Sequence, residues 1–381
     1  MKKTIGIDAR MYGLKNAGIG RYVENLIEEI SKINFHNYRI QFTLFLRKND
    51  LSQLKNKYGK KFKYIEADFP HYSLKEQLAF PSVLLRAKCD LIHFPHFNVP
   101  LGYRQLFVVT IHDLTLLHFP TVRNSTLHPV FYRLKFLAYR LAIKLAIARA
   151  QSIIAISQFT KRDIAKNYGA SVEKKTVVTY EACEDFCMMS PKKDTGILQK
   201  YGILKPYLIY VGNAYPHKNL ERLVLAFYEV LTEKKDLQLV LTGKNDYFYQ
   251  RLREFILERK IENIIFVYDV SDYELDILFH KSIANVFPSL YEGFGLPPLE
   301  AMSKGVPVLS SDHQCMREVL GESAYFFDGE DVTAISSAMK KIIEDENLRH
   351  DLIKKGFEQV KKYSWGKMAE ETLAVYNSIR I

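Results

Sequence analysis

Short apolar runs, each followed by a polar loop or an amphipathic stretch, recur along the whole chain. In the first half they are Thr4–Ile7, Ile40–Leu46, Leu91–Phe94, Phe107–Ile111 and Ser152–Ile156, with a further strand-like pair at Tyr64-Ile65. A polar, uneven stretch from Cys183 to Gly202 interrupts the pattern. It then restarts with Tyr207–Val211, Gln238–Thr242, Ile264–Tyr268, Ala284–Phe287 and Val306–Leu309. Strands alternating with helical segments predict an α/β protein of parallel sheets with helical crossovers. The restart, after Ser190-Pro-Lys-Lys-Asp-Thr, predicts two domains, 1–188 and 189–363, followed by a helical run from Trp365 to Ile381. Phe131, Leu134, Leu137, Leu141 and Leu145 keep near-helical spacing. They predict a helix with that apolar row against the core and Arg133, Lys135, Arg140, Lys144 and Arg149 on a solvated face.

Length agrees with two domains, since 381 residues give each half enough chain to bury a core. Hydrophobic content of 48% and charged content of 25% are those of a soluble globular protein. The start, Met1-Lys-Lys-Thr-Ile-Gly-Ile-Asp8-Ala-Arg10, reads as a strand rather than a signal peptide, because Asp8 and Arg10 cut the apolar run short. The most apolar helical stretch, Phe136 to Ala150, carries three basic residues and is not a membrane span. Cys89, Cys183, Cys187 and Cys315 show neither a disulfide framework nor zinc spacing, which fits a reducing cytoplasm.

Charge is uneven. Residues 1–190 carry 29 lysines and arginines against 15 acidic residues, a net of +14, while residues 191–381 carry 25 against 28, a net of −3. A basic half invites an anionic partner. No helix-turn-helix, zinc or RNA-binding signature accompanies it, so nucleic acid is not expected. The basic residues gather in Lys55, Lys57, Lys60, Lys61 and Lys63 and on the 131–149 segment, and an anionic membrane surface is the other partner these clusters fit.

Candidate chemistry concentrates in Ser289-Leu-Tyr-Glu292-Gly-Phe-Gly-Leu-Pro-Pro-Leu-Glu300-Ala-Met302. A buried strand precedes it, and Pro298 to Lys304 reads as a helix with proline in its first turn and Gly305 as its stop. Glu292 therefore sits on a strand-to-helix loop at the carboxyl edge of a sheet, where open α/β sheets bind ligands. The glycines allow close backbone approach, and the helix start offers N–H groups to an anion.

This segment resembles the Glu-seven residues-Glu signature of retaining glycosyltransferases of the two-Rossmann-domain (GT-B) type, specifically glycosyltransferase family 4, and the likeness continues through Gly305-Val-Pro-Val-Leu-Ser-Ser311. The resemblance implies two Rossmann-like domains facing across a cleft: an acceptor-side domain, completed by 364–381 crossing back to it, and a nucleotide-sugar domain. It implies that Glu292 binds donor-sugar hydroxyls, that Glu300 binds the nucleotide ribose, and that the backbone of Gly293, Phe294, Gly295 and Leu296 holds sugar and diphosphate. In Val211-Gly-Asn213-Ala-Tyr-Pro-His-Lys218, Lys218 matches a diphosphate-neutralising cation, while Asn213 stands where many members have arginine. Asn16-Ala-Gly18-Ile-Gly20-Arg21 resembles the family's flexible glycine loop, His112 the histidine beneath the donor sugar, and Ser157 a further strand-end position. Arg21, His96 and Asp113 remain as acceptor-side candidates.

The implied reaction moves a hexose, mannose or a related sugar, from a GDP- or UDP-linked donor to a lipid-linked or polysaccharide hydroxyl, by front-face displacement with retention. Catalysis would rest on His112, Lys218 and Glu292. No cofactor and no metal are expected: Lys218 and backbone amides serve the leaving group, and His93, His96, His112 and His118 fall on separate strand ends and loops. A nucleotide-sugar epimerase, a soluble-glycoside synthase and a non-catalytic sugar-binding subunit are the alternatives. The expected location is the cytoplasm, with peripheral contact at the inner membrane face.

Overall fold

The computed structural model describes residues 3–33, 40–120, 128–183 and 196–380. Their contacts divide them into two compact units, Met1–His118, His128–Glu181 and Ser364–Ile381 forming the first, and Phe119–Leu127 with Ala182–Tyr363 the second. The expected boundary at 188/189 and Cys187 lie outside the described residues.

The first unit holds a parallel sheet of β1 (Lys3–Asp8), β2 (Ile40–Leu46), β3 (Lys63–Glu66), β4 (Leu91–Phe94), β5 (Phe107–Ile111), β6 (Ser152–Ala155) and β7 (Thr176–Val178), in the order β3-β2-β1-β4-β5-β6-β7. The second holds β8 (Tyr207–Val211), β9 (Gln238–Gly243), β10 (Ile264–Tyr268), β11 (Ala284–Phe287), β12 (Val308–Ser311) and β13 (Ala324–Phe327), ordered β10-β9-β8-β11-β12-β13. Every pairing is parallel, and the central strands β4, β5, β6, β11 and β12 are buried along their whole length, as sheets covered on both faces require. Strand order reverses between β1 and β4 in the first sheet and between β8 and β11 in the second. The loops leaving those four strands therefore flank the two topological switch points, the crevices that such sheets offer to ligands.

The final helix, Trp365–Ser378, belongs to the first unit. Lys3 Nζ donates to the Ile379 carbonyl at 3.0 Å, and Tyr376 Oη meets His93 Nδ1 at 2.6 Å. His93 Nε2 lies 2.8 Å from Thr110 Oγ1, itself 3.2 Å from Tyr22 Oη, so a buried polar chain joins the last helix, β4, β5 and the first helix.

The helix Pro129–Arg149 corrects the expectation drawn from its periodicity. Phe131, Leu134, Leu137 and Leu141 are 64, 60, 58 and 52% exposed, while Ile143, Ala146 and Ile147 are buried in the core of the first unit. The row from Phe131 to Leu141 therefore faces solvent, flanked by exposed Arg133, Lys135 and Arg140, and only Leu145 at its end is half-buried. The other basic cluster is partly tied down: Lys57 pairs with Glu28 at 2.8 Å, and Lys61 Nζ donates to the Ser31 carbonyl at 2.9 Å.

Buried histidines give the fold a pH dependence. Burial, then the charge of His112, pushes the His93 pKa down to about 3, and burial with Lys218 does the same to His217. Their unfolded value is about 6.5, so between these limits the unfolded chain binds more protons, and stability falls as pH drops from 6.5 towards 3. Melting temperatures measured from pH 7 to pH 4 should fall accordingly, and His93→Gln should flatten the slope; an unchanged slope in that variant would remove His93 from the explanation.

Candidate functional site

The second switch point is built by two loops. After β8 the chain turns through Asn213, whose Oδ1 accepts from the Tyr215 amide at 3.4 Å and whose carbonyl accepts from Tyr210 Oη at 2.7 Å. A 3-10 turn, Pro216–Lys218, follows. Asn219, left-handed at φ 64°, enters the helix Leu220–Leu231 and donates from Nδ2 to the carbonyls of Pro288 (3.1 Å) and Gly329 (2.6 Å). Asn219 thus locks the post-β8 turn to the loop after β11. The lock carries Lys218 to Glu292, with Nζ 2.5 Å from Oε1 and both side chains mostly buried, at 13 and 12% exposure.

The helix downstream runs Leu296–Ser303, two residues earlier than its prolines suggest, with Gly295 as its cap at φ 92°. That φ favours glycine, and a Cβ there would in addition have to displace the flexible end of Met316, 2.5 Å away. Pro297 and Pro298 carry no N–H, which leaves the amides of Gly295 and Leu296 as the donors at the helix entrance. Gly293, Phe294 and Glu300 are buried in the same loop and helix, and Phe294 rests edge-on against Tyr363 at 5.3 Å. Here a cation, two carboxylates and oriented amides share one sheet edge, an arrangement suited to a ligand with hydroxyls at one end and anionic phosphates at the other.

In the first unit His112 follows β5. Its Nδ1 faces Glu181 Oε1 at 3.1 Å and its Nε2 faces the Pro95 carbonyl at 2.9 Å. The Pro95 carbonyl can only accept, so Nε2 donates to it, and an ionised Glu181 carboxylate favours a proton on Nδ1 as well. Burial opposes that charge, but Glu181 and the Pro95 carbonyl outweigh it and hold the pKa above the ordinary histidine value. The balance favours the charged form of His112 over that of an ordinary histidine. Tyr22 packs edge-on against it, with ring centroids 5.0 Å apart.

Gly18 and Gly20 lie in the first turn of the helix Ala17–Lys32, not on a free loop. Gly20 is needed for packing, because a Cβ there would meet the Gly13 carbonyl oxygen at 2.0 Å; Gly18 is exposed with open space around it. Arg21 follows on the same turn, half-buried. Asp113 Oδ1 accepts from the Thr115 amide at 2.7 Å, and Ser157 caps the helix Gln158–Tyr168 by accepting from the Thr160 amide at 3.0 Å. His96 stands at the end of β4. Among the described residues, no group of three or more His, Cys, Asp or Glu side chains is placed to hold a metal ion.

Sequence reasoning missed Glu181 and the bridging work of Asn219. The first follows a three-residue edge strand too short to show a period; the second depends on contacts 69 and 110 positions away.

Two parallel-sheet Rossmann-like units, with such a site at the switch point of the second, define a GT-B glycosyltransferase. Residues 197–359 match the family model for glycosyl transferases group 1, and residues 17–180 match that for glycosyltransferase family 4. The chain is 31% identical to O-antigen chain mannosyltransferase B of Escherichia coli, over 75% of its own length and 74% of that protein's. It is 28% identical to the O-antigen chain mannosyltransferase RfbU of Salmonella typhimurium, over 64 and 66% of the two lengths. Sucrose-phosphate synthase from Thermosynechococcus elongatus superposes with a TM-score of 0.73 at 19% identity, covering 98% of both chains. The chain belongs to glycosyltransferase family 4.

Proposed function

We propose that this glycosyltransferase moves a mannosyl or related hexosyl group from a GDP- or UDP-sugar to a hydroxyl of a lipid-linked or polysaccharide acceptor, with retention and without a divalent metal. The observation that carries this reading is the Lys218–Glu292 pair beside the Gly295 helix entrance. The mannosyltransferase names of the E. coli and Salmonella relatives support the sugar and the glycan acceptor.

In this reading the donor diphosphate draws Lys218 Nζ towards itself, with the Gly295 and Leu296 amides as further donors. Glu292, released from the lysine, accepts from the sugar hydroxyls. Glu300 accepts from the ribose. Asn213 holds the turn's shape rather than adding charge. The departing diphosphate takes the proton of the acceptor hydroxyl, and Lys218 stabilises the charge that develops on the leaving oxygen. In the first unit, His112 holds its proton more firmly than an ordinary histidine, beside Glu181. Glu300→Ala should weaken binding of free GDP or UDP in a thermal-shift titration, whereas Glu292→Ala should mainly lower turnover. Unchanged nucleotide affinity in Glu300→Ala would remove the ribose assignment.

Peripheral contact with anionic lipid forms part of the same reading, and the exposed apolar and basic side chains of the 129–149 helix support it. No helix among the described residues is long and apolar enough to cross a membrane. The 129–149 helix instead presents five large apolar side chains to solvent, Val130, Phe131, Leu134, Leu137 and Leu141, and its charged residues are all basic. A helix of that kind lies in the plane of the headgroups, apolar row inward and cations against acidic lipid. Sedimentation with vesicles of phosphatidylglycerol and phosphatidylcholine should carry the protein down, and Leu134→Ser with Leu137→Ser should leave it in the supernatant. Equal recovery of wild type in the supernatant with anionic and neutral vesicles would exclude the contact.

A further inference from the structure

The first sheet has its own switch point, where the loops leaving β1 and β4 part. Arg10 leaves β1 there with its side chain wholly buried. Its Nε and Nη2 donate to the two oxygens of Asp8, each at 2.7 Å; Nη2 also lies 2.8 Å from Glu76 Oε1, and the guanidinium stacks 3.8 Å above the Phe80 ring. Glu76 is in turn fixed by Asn98 Nδ2 at 2.9 Å and by the Tyr72 amide at 2.7 Å. This network immobilises Arg10 while leaving Nη1 buried without a protein partner. Two more buried nitrogens without partners, His71 Nδ1 and His96 Nδ1, belong to residues lining the same small cavity, together with Asp8, Asn98 and Ile19. Its volume of about 10 Å³ is room for one water-sized group.

The geometry points to a subsite that receives a single hydroxyl of a neutral sugar. Arg10 Nη1 can only donate, so the occupant must accept. His71 Nε2 faces the Arg10 carbonyl at 3.4 Å, so in the neutral ring Nδ1 is an acceptor and the occupant must also donate. A hydroxyl does both, and an ammonium cannot accept. An anion is disfavoured, because Asp8 and Glu76 together outweigh the one guanidinium charge. The histidines are neutral: burial, then Arg10, lowers the His71 pKa, and burial with His112 and His71 lowers that of His96. Unpaired buried polar atoms impose a penalty that an occupant with the right pairing removes, and this makes the subsite discriminating. Taken with the proposed glycosyl transfer, on which this assignment rests, the subsite holds a sugar residue of the acceptor.

The test uses the full chain labelled with [15N]histidine, titrated with methyl α-mannoside and, in parallel, with inorganic phosphate. The glycoside should shift the Nδ1 resonances of His71 and His96 saturably, and phosphate should not. In His96→Phe the remaining His71 shift should require at least about ten-fold more glycoside, the effect of one lost hydroxyl partner. His71→Gln provides the same readout at His96. No shift with the glycoside, or an equal shift with phosphate, overturns the subsite and leaves the cavity to water alone. GDP and UDP binding by the same sample separates the two claims. Nucleotide binding without a glycoside shift rejects the subsite and keeps the transferase reading, and a glycoside shift without nucleotide binding does the reverse.

Discussion

Lys218→Ala is expected to lower kcat/KM for sugar transfer by roughly 10²–10³-fold, about 2.7–4 kcal/mol of transition-state stabilisation, the usual effect of removing one preorganised donor from developing negative charge. The lysine meets the leaving diphosphate at the moment its charge grows, and the post-β8 turn and the Asn219 bridges hold it in place beforehand. Its loss also leaves Glu292 without the partner that sits 2.5 Å away. The two residues should therefore couple: Glu292→Ala and Lys218→Ala combined should lose less than the sum of the single effects. Strict additivity would show that the ion pair is incidental, and near wild-type turnover in Lys218→Ala would show that the diphosphate is neutralised elsewhere. EDTA should leave turnover intact. Activity abolished by EDTA and restored by magnesium or manganese would contradict metal-independent transfer.

Arg10→Met should destabilise the first unit by about 3–5 kcal/mol, the range for breaking a buried ion pair from one side. Arg10 and Glu76 have fully buried side chains and Asp8 is nearly so; without the guanidinium, two carboxylates remain in a region that water scarcely reaches. The chain has a single tryptophan, Trp365, which is buried in the helix Trp365–Ser378 of the same unit. Its fluorescence during urea unfolding reads the first unit directly. A loss below about 1 kcal/mol would place the pair among ordinary surface contacts.

Arg10 also shows where the sequence stops informing. Read along the chain, Asp8 and Arg10 only interrupt an apolar run; the pairing of Arg10 with Glu76 depends on a contact 66 positions away. The central strands were legible almost to the residue, because strands buried on both faces are apolar throughout. The half-solvated edge strands β7 and β13 were not, and β12 begins two residues later than its apolar run. Glu292, Gly295 and Glu300 were legible because a strand-loop-helix junction fixes their spacing locally. The direction of the 129–149 helix was not. Periodicity shows that an apolar row exists, but a second row through Tyr132, Ile143, Ala146 and Ile147 is the one buried in the core, and it turns the leucines outward.

The most direct measurement of the central claim is release of nucleoside diphosphate by the purified chain from a panel of GDP- and UDP-sugars, with and without a glycan acceptor. At least one donor should be turned over, faster with acceptor, and Glu292→Ala should lose that turnover while still binding the free nucleotide. A wild-type protein that neither binds nor cleaves any sugar nucleotide in the panel would contradict the account.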